Sequence, residues 1–126
     1  MSGETLRLAT LNVWALPAGI ARDVAPRMDA ISARLAELEL DAAALQEVWT
    51  EEARAALVEG GRRAGLLHAW HRPEAFGGSG LLLLSRRPLG DPTFQAYTLR
   101  GLPQRIQHGD YWGGKGFVVA TLDTGG

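Results

Sequence analysis

Asp41 to Val48 reads DAAALQEV, a short and nearly continuous apolar run that turns polar just before its end. Apolar residues on both sides of so short a run fit a strand covered on both faces, although its alanines weaken the preference. Such a strand must lie inside a layered domain, with other elements packed above and below it.

The flanking segments supply candidates for those layers. Over Leu6 to Trp14 (LRLATLNVW), Leu6, Leu8, Thr10 and Asn12 fall on one face of an expected strand, and Arg7, Ala9, Leu11 and Val13 on the other. The stretch from Trp14 to Gly19 breaks it into a loop. A helix is expected from about Pro26, whose missing N–H suits the first helical position. Met28, Ile31, Leu35 and Leu38 recur at helical spacing as its buried stripe, which leaves Arg27, Asp29, Arg34 and Glu37 facing water. Thr50 is a good N-cap for a second helix, with Glu51 and Glu52 in the first turn where the helix dipole favours carboxylates. That helix should run to about Ala64, with Gly65 at the C′ position and the Gly60-Gly61 pair weakening it. Further strands are expected at His68–His71, Leu81–Ser85, Thr93–Leu99 and Phe117–Leu122, with turns at Gly77–Gly80 and Arg86–Gly90. The order strand, helix, strand, helix, then strands predicts an α/β (α+β) layered domain of about six strands and two helices, with the helices on an outer face.

Composition narrows the class. A chain of 126 residues is expected to be one domain. It is 46% hydrophobic and 21% charged, as in an ordinary soluble globular protein. A net charge of −1 gives no basis for a non-specific grip on nucleic acid or on an anionic membrane. With no cysteine, disulfides and thiolate metal sites are excluded. MSGETLRLAT carries no basic stretch followed by an apolar core, and no run reaches the ~20 apolar residues of a membrane span. A cytoplasmic location is the default expectation.

Asn12 and Glu47 stand out for their position. Each lies near the C-terminal end of an expected strand, and strand ends in layered α/β folds converge on one rim where ligands bind. An amide oxygen and a carboxylate there are hard oxygen ligands, suited to Mg2+ or Ca2+. The plainer reading is that both cap loop backbone at a strand end.

LATLNVWALP (Leu8 to Pro17) followed by ALQEVW (Ala44 to Trp49) resembles the paired N-terminal signature of the endonuclease/exonuclease/phosphatase, or DNase I-like, superfamily. GSGLLLLSRRPL (Gly78 to Leu89) resembles its third block. The resemblance spans about Leu6 to Leu122. It implies the N-terminal half of a four-layer α/β/β/α sandwich, a Mg2+-dependent (or Mn2+- or Ca2+-dependent) phosphodiester hydrolase, and Asn12 and Glu47 as metal-site residues. Trp14 to Pro17 and Gln46 to Trp49 look more like the neutral sphingomyelinase branch than like abasic-site endonucleases, which carry a QE-T-K arrangement at the second block. A phosphodiester substrate, such as a phospholipid, is then expected ahead of nucleic acid.

GDYWGGKG (Gly109 to Gly116) fits the phosphate-loop pattern G-x-x-x-x-G-K-[ST] except at its last position. A nucleotide loop needs a buried strand before it and a helix after it. Here QRIQH precedes and the β-prone FVVATL follows, so the nucleotide reading fails. Asp110 and Lys115 instead resemble the aspartate–lysine pair of neutral sphingomyelinases, where a glycine-rich loop beside the active site controls substrate access. The resemblance adds them to the catalytic set; the plain alternative is a solvated ion pair.

Other candidates are weaker. The histidines of HAWH, three apart, point to opposite faces of a strand, so His68, His71 and His108 read as surface or edge residues. Trp14, Trp49, Trp70 and Trp112 read as packing residues before a lipid-inserting belt. For Trp112, between Tyr111 and Gly113, substrate contact is the alternative to packing, and Arg86-Arg87 reads as a solvated turn.

The superfamily's later N-T-H, G-D-x-N and S-D-H blocks have no match in these 126 residues. The expectation is a partial domain over residues 1–126, inactive alone for want of the general-base histidine. One sheet face is expected to lie open to a complementary half or to self-association. Two rivals remain: a nuclease or inositol-phosphate phosphatase of the same superfamily, and a non-catalytic fragment that only binds.

Overall fold

The computed structural model describes residues 5–16, 22–72, 80–96 and 116–123. Chain order is β1 (Leu8–Ala15), α1 (Val24–Leu38), β2 (Ala42–Val48), α2 (Glu51–Arg63), β3 (His68–His71), β4 (Leu82–Ser85), β5 (Leu89–Ala96) and β6 (Gly116–Leu122). Four strands form a sheet in the order β1-β2-β4-β3, and β5 and β6 form a second, two-stranded sheet. β1 and β2 are parallel, because α1 carries the chain back across the sheet between them. β4 runs antiparallel to both β2 and β3.

The pleat sorts the four-stranded sheet into two faces. Ala43 and Leu84 share one cross-strand row, and Leu45 and Leu82 the next. These four residues, with Val13, Ala15 and Val48, are buried against Met28 and Leu35 of α1 and Ala53 and Leu57 of α2. Ile31 and Leu38 of the predicted helical stripe are partly buried against the same cluster. The other face carries Leu8, which is 64% exposed, and the half-buried Ala42, Ala44 and Leu83.

The ends of α2 follow their local chemistry. The Thr50 hydroxyl accepts a hydrogen bond from the Ala53 N–H at 3.1 Å, with Glu51 and Glu52 in the first turn. Gly65, at φ +88, ends α2 in the left-handed conformation that glycine adopts without strain. α1 begins at Val24, two residues before Pro26, so the proline sits inside the first turn.

One expectation gains a reason and three are corrected. The Gly60-Gly61 pair is a packing requirement: a Cβ at Gly60 would overlap the Ser32 side chain, and one at Gly61 would lie 2.9 Å from Leu84 Cδ1. A helix-interior glycine costs about 1 kcal/mol relative to alanine, and here it allows α2 to seat on α1 and the sheet. Arg86 is no free turn residue, since its Nε and Nη2 donate to the Leu40 carbonyl at 3.2 and 3.0 Å. β5 starts at Leu89, four residues before the expected strand, and pairs Leu89 with Leu122 across a bulge at Asp91. Arg27 does not simply face water, as described next.

Candidate functional site: the strained rim of β1 and β2

Parallel pairing brings the C-terminal ends of β1 and β2 to one rim, with Asn12 opposite Gln46. The register then breaks. Ala15 next pairs with Val48, so Val13 and Trp14 on one strand stand against Glu47 alone on the other. This is a β-bulge, a feature that re-aims side chains and is common beside functional sites. Trp14 and Glu47 both take positive φ, at 49° and 58°. For residues with a Cβ this backbone costs on the order of 1–3 kcal/mol each and persists only where the surroundings enforce it.

The kink changes what Glu47 does. A strictly alternating strand would put Glu47 with Ala43 and Leu45 on the helix-covered face. Instead Val48 takes the buried place, 3% exposed, and Glu47 is half-buried. The Glu47 carboxylate has no hydrogen-bond or ion-pair partner among the described residues.

Several contacts hold this geometry. Asn12 Oδ1 accepts from the Trp14 N–H at 3.0 Å, which fixes the carboxamide on the strand end. Gln46 Nε2 donates to Thr10 Oγ1 at 2.8 Å and to the Ala44 carbonyl at 3.0 Å, so a polar row of Thr10, Gln46 and Asn12 leads to the rim. The Val48 N–H donates to the Gly80 carbonyl, two residues before β4, and the Trp49 N–H to the Ala15 carbonyl at the end of β1, which pins the two residues after Glu47. Gly80, at φ +75, lies against the Trp49 indole, where a Cβ would come within 2.9 Å of the ring.

Of the four predicted site residues, Asn12 and Glu47 come to the same rim on adjacent strands. Asp110 and Lys115 lie outside the described residues, as do His108 and Trp112. Among the described residues no cluster of three or more histidines or carboxylates could hold a metal ion. His68 and His71 occupy opposite rows of the edge strand β3, as their spacing implies. Trp14 departs from the packing role expected of it: it is 48% exposed, with Arg27 Cζ 5.3 Å from its ring centroid. Arg27 was hidden by helical periodicity. The signal that marks it is a cation near the start of a helix with no acid in its first turn, against the dipole's preference.

With this geometry in place, similarity to known proteins gains meaning. The sequence profile described as the Endonuclease/Exonuclease/phosphatase family matches residues 9–122. A Drosophila melanogaster protein named, provisionally, a neutral sphingomyelinase is 39% identical over 121 residues, covering 96% of this chain and 27% of that protein. Sphingomyelin phosphodiesterase 2 of Homo sapiens is 33% identical over 121 residues, covering 96% and 28%. The chain thus spans about a quarter of the length of the curated relatives it matches. The crystal structure of sphingomyelinase C from Streptomyces griseocarneus superposes with a TM-score of 0.69 at 18% identity, over 98% of this chain and 46% of that one. At that identity the likeness speaks for the fold, which is the DNase I-like α/β arrangement expected from the sequence.

Proposed function

This chain belongs to the endonuclease/exonuclease/phosphatase family, and from that membership we propose that it supplies part of the metal site of a sphingomyelinase-like phosphodiesterase. The observation that carries the reading is the strained rim. It sets an anchored amide, Asn12, beside a half-buried carboxylate, Glu47, that no cation among the described residues neutralises. Two hard oxygen donors at one strand end fit a divalent ion such as Mg2+, Mn2+ or Ca2+.

When bound, such an ion would polarise phosphoryl oxygens and lower the pKa of a coordinated water. The residues themselves perform three tasks. Glu47 offers its carboxylate as the charged ligand. Asn12 offers a carboxamide whose position the Trp14 N–H fixes. The bulge keeps Glu47 out of the apolar core. The reading assigns these two residues metal holding and gives neither of them the proton transfer from water. Residues 1–126 are then a partial domain, and a complementary segment or a second copy would cover the sheet face that bears Leu8. Asp110 and Lys115 are proposed as a loop pair that admits the substrate, a phosphodiester of the sphingomyelin type.

The relatives' names support the substrate class. The test of the site is a Mn2+ titration followed by electron paramagnetic resonance. Binding should be lost in Glu47→Ala and weakened in Asn12→Ala. Affinity unchanged by Glu47→Ala would sink the site.

A further inference from the structure

Arg27 is the least expected residue near this rim. It sits in the first turns of α1, yet its guanidinium leaves the helix and reaches β1. Nη1 donates to the Val13 carbonyl at 2.7 Å and Nη2 to the Trp14 carbonyl at 3.0 Å. Nε donates to the Arg22 carbonyl at 3.1 Å, and the guanidinium also stands over the Trp14 ring. One side chain therefore holds both residues of the bulge, including the strained Trp14. The Trp14 N–H in turn holds Asn12 Oδ1.

We propose that Arg27 is a positioning residue for the metal site, fixing the Asn12 carboxamide through the Trp14 peptide. The role rests on the reading of Asn12 and Glu47 given above. The planar fork of an arginine suits this task because it donates to two successive carbonyls at once, which keeps Trp14 in its positive-φ conformation. A lysine carries the same charge on one compact head and cannot span both acceptors. With the fork gone, the bulge relaxes toward regular strand geometry, the Trp14 N–H turns away, and the Asn12 carboxamide loses its anchor. Arg27 touches neither metal nor substrate in this scheme.

The experiment compares wild type, Arg27→Gln and Arg27→Lys by amide hydrogen exchange read by NMR, alongside Mn2+ titration. Protection at the Trp14 amide should fall roughly tenfold or more in both variants, while the core amides of Leu35 and Leu57 keep theirs, as local opening independent of global unfolding requires. Mn2+ affinity should fall in both variants by a smaller factor than in Glu47→Ala. Three results would overturn the proposal: unchanged Trp14 protection, protection lost uniformly across the chain, or full restoration by Arg27→Lys. If the wild-type chain binds no Mn2+, the metal-site reading fails, and the exchange data alone still decide whether Arg27 fixes the Asn12 strand end.

Discussion

β2 is two strands in one. From Ala42 to Leu45 it alternates regularly, pairs with both neighbours in register, and buries Ala43 and Leu45. Past Gln46 its register with β1 breaks, Glu47 takes a positive φ, and the Val48 and Trp49 N–H groups donate to the Gly80 and Ala15 carbonyls to hold the shape. The first half is stabilised by burying apolar area, which is non-directional and tolerant. The second half is held by a few directed contacts around a conformation the chain would otherwise avoid. Places where a sequence breaks a local rule under tertiary enforcement are where function is expected.

The sharpest way to break this contrast is through the core. Leu84, fully buried at 0% exposure, contacts the space above Gly61. Leu84→Ala should destabilise by about 2–5 kcal/mol, measured by urea unfolding, with no selective effect at the rim. A variant whose loss is confined to Val48 and Trp49 would show that the two halves are not separate. A smaller effect is expected on the rim side. Gly80→Ala forces a Cβ onto the Trp49 ring at positive φ, and about 1–2 kcal/mol should be lost. Here the loss should be local: the Val48 amide, bonded to the Gly80 carbonyl, should exchange faster while Leu57 does not.

The smallest effect lies on the solvent side of α2. The Arg62 hydrogen bond, aided by the charges of Arg62 and Arg63, holds the Glu59 carboxyl below the ordinary range. A carboxyl with a depressed folded pKa adds stability that is present above its unfolded pKa and is lost as pH falls through the folded value. Glu59→Gln should therefore flatten the acid side of the stability–pH curve slightly, because solvent reaches the pair and screens it. A large flattening would mean that α2 is held by charge more than by its packed face.

Much of this was legible in the sequence because it follows periodicity. The stripe of Met28, Ile31, Leu35 and Leu38, the Thr50 cap and the Gly65 terminus all follow from local rules and stand in the structure. Asn12 and Glu47 were marked by lying at strand ends, and parallel pairing brings those ends to one rim. What periodicity could not give were long-range polar contacts. Arg27 and Arg86 read as solvated because nothing local says which carbonyls they reach. Gly60 read as a helix weakener because Ser32, 28 positions earlier, was not known to press on it. The bulge itself has no glycine to announce it, since Trp14 and Glu47 occupy its positive-φ positions.

That last point supplies the most direct test. Glu47→Gly removes the carboxylate and also the Cβ that makes positive φ unfavourable, so structure and function should part company. Unfolding of wild type and Glu47→Gly is measured with and without Mn2+. Without metal the variant should be more stable, by about 1 kcal/mol from relief of strain. With Mn2+ only the wild type should gain stability, since a ligand stabilises only the form that binds it. A variant that is weaker without metal, or that gains as much as the wild type when Mn2+ is added, would contradict the claim that the rim holds Glu47 under strain to bind a cation.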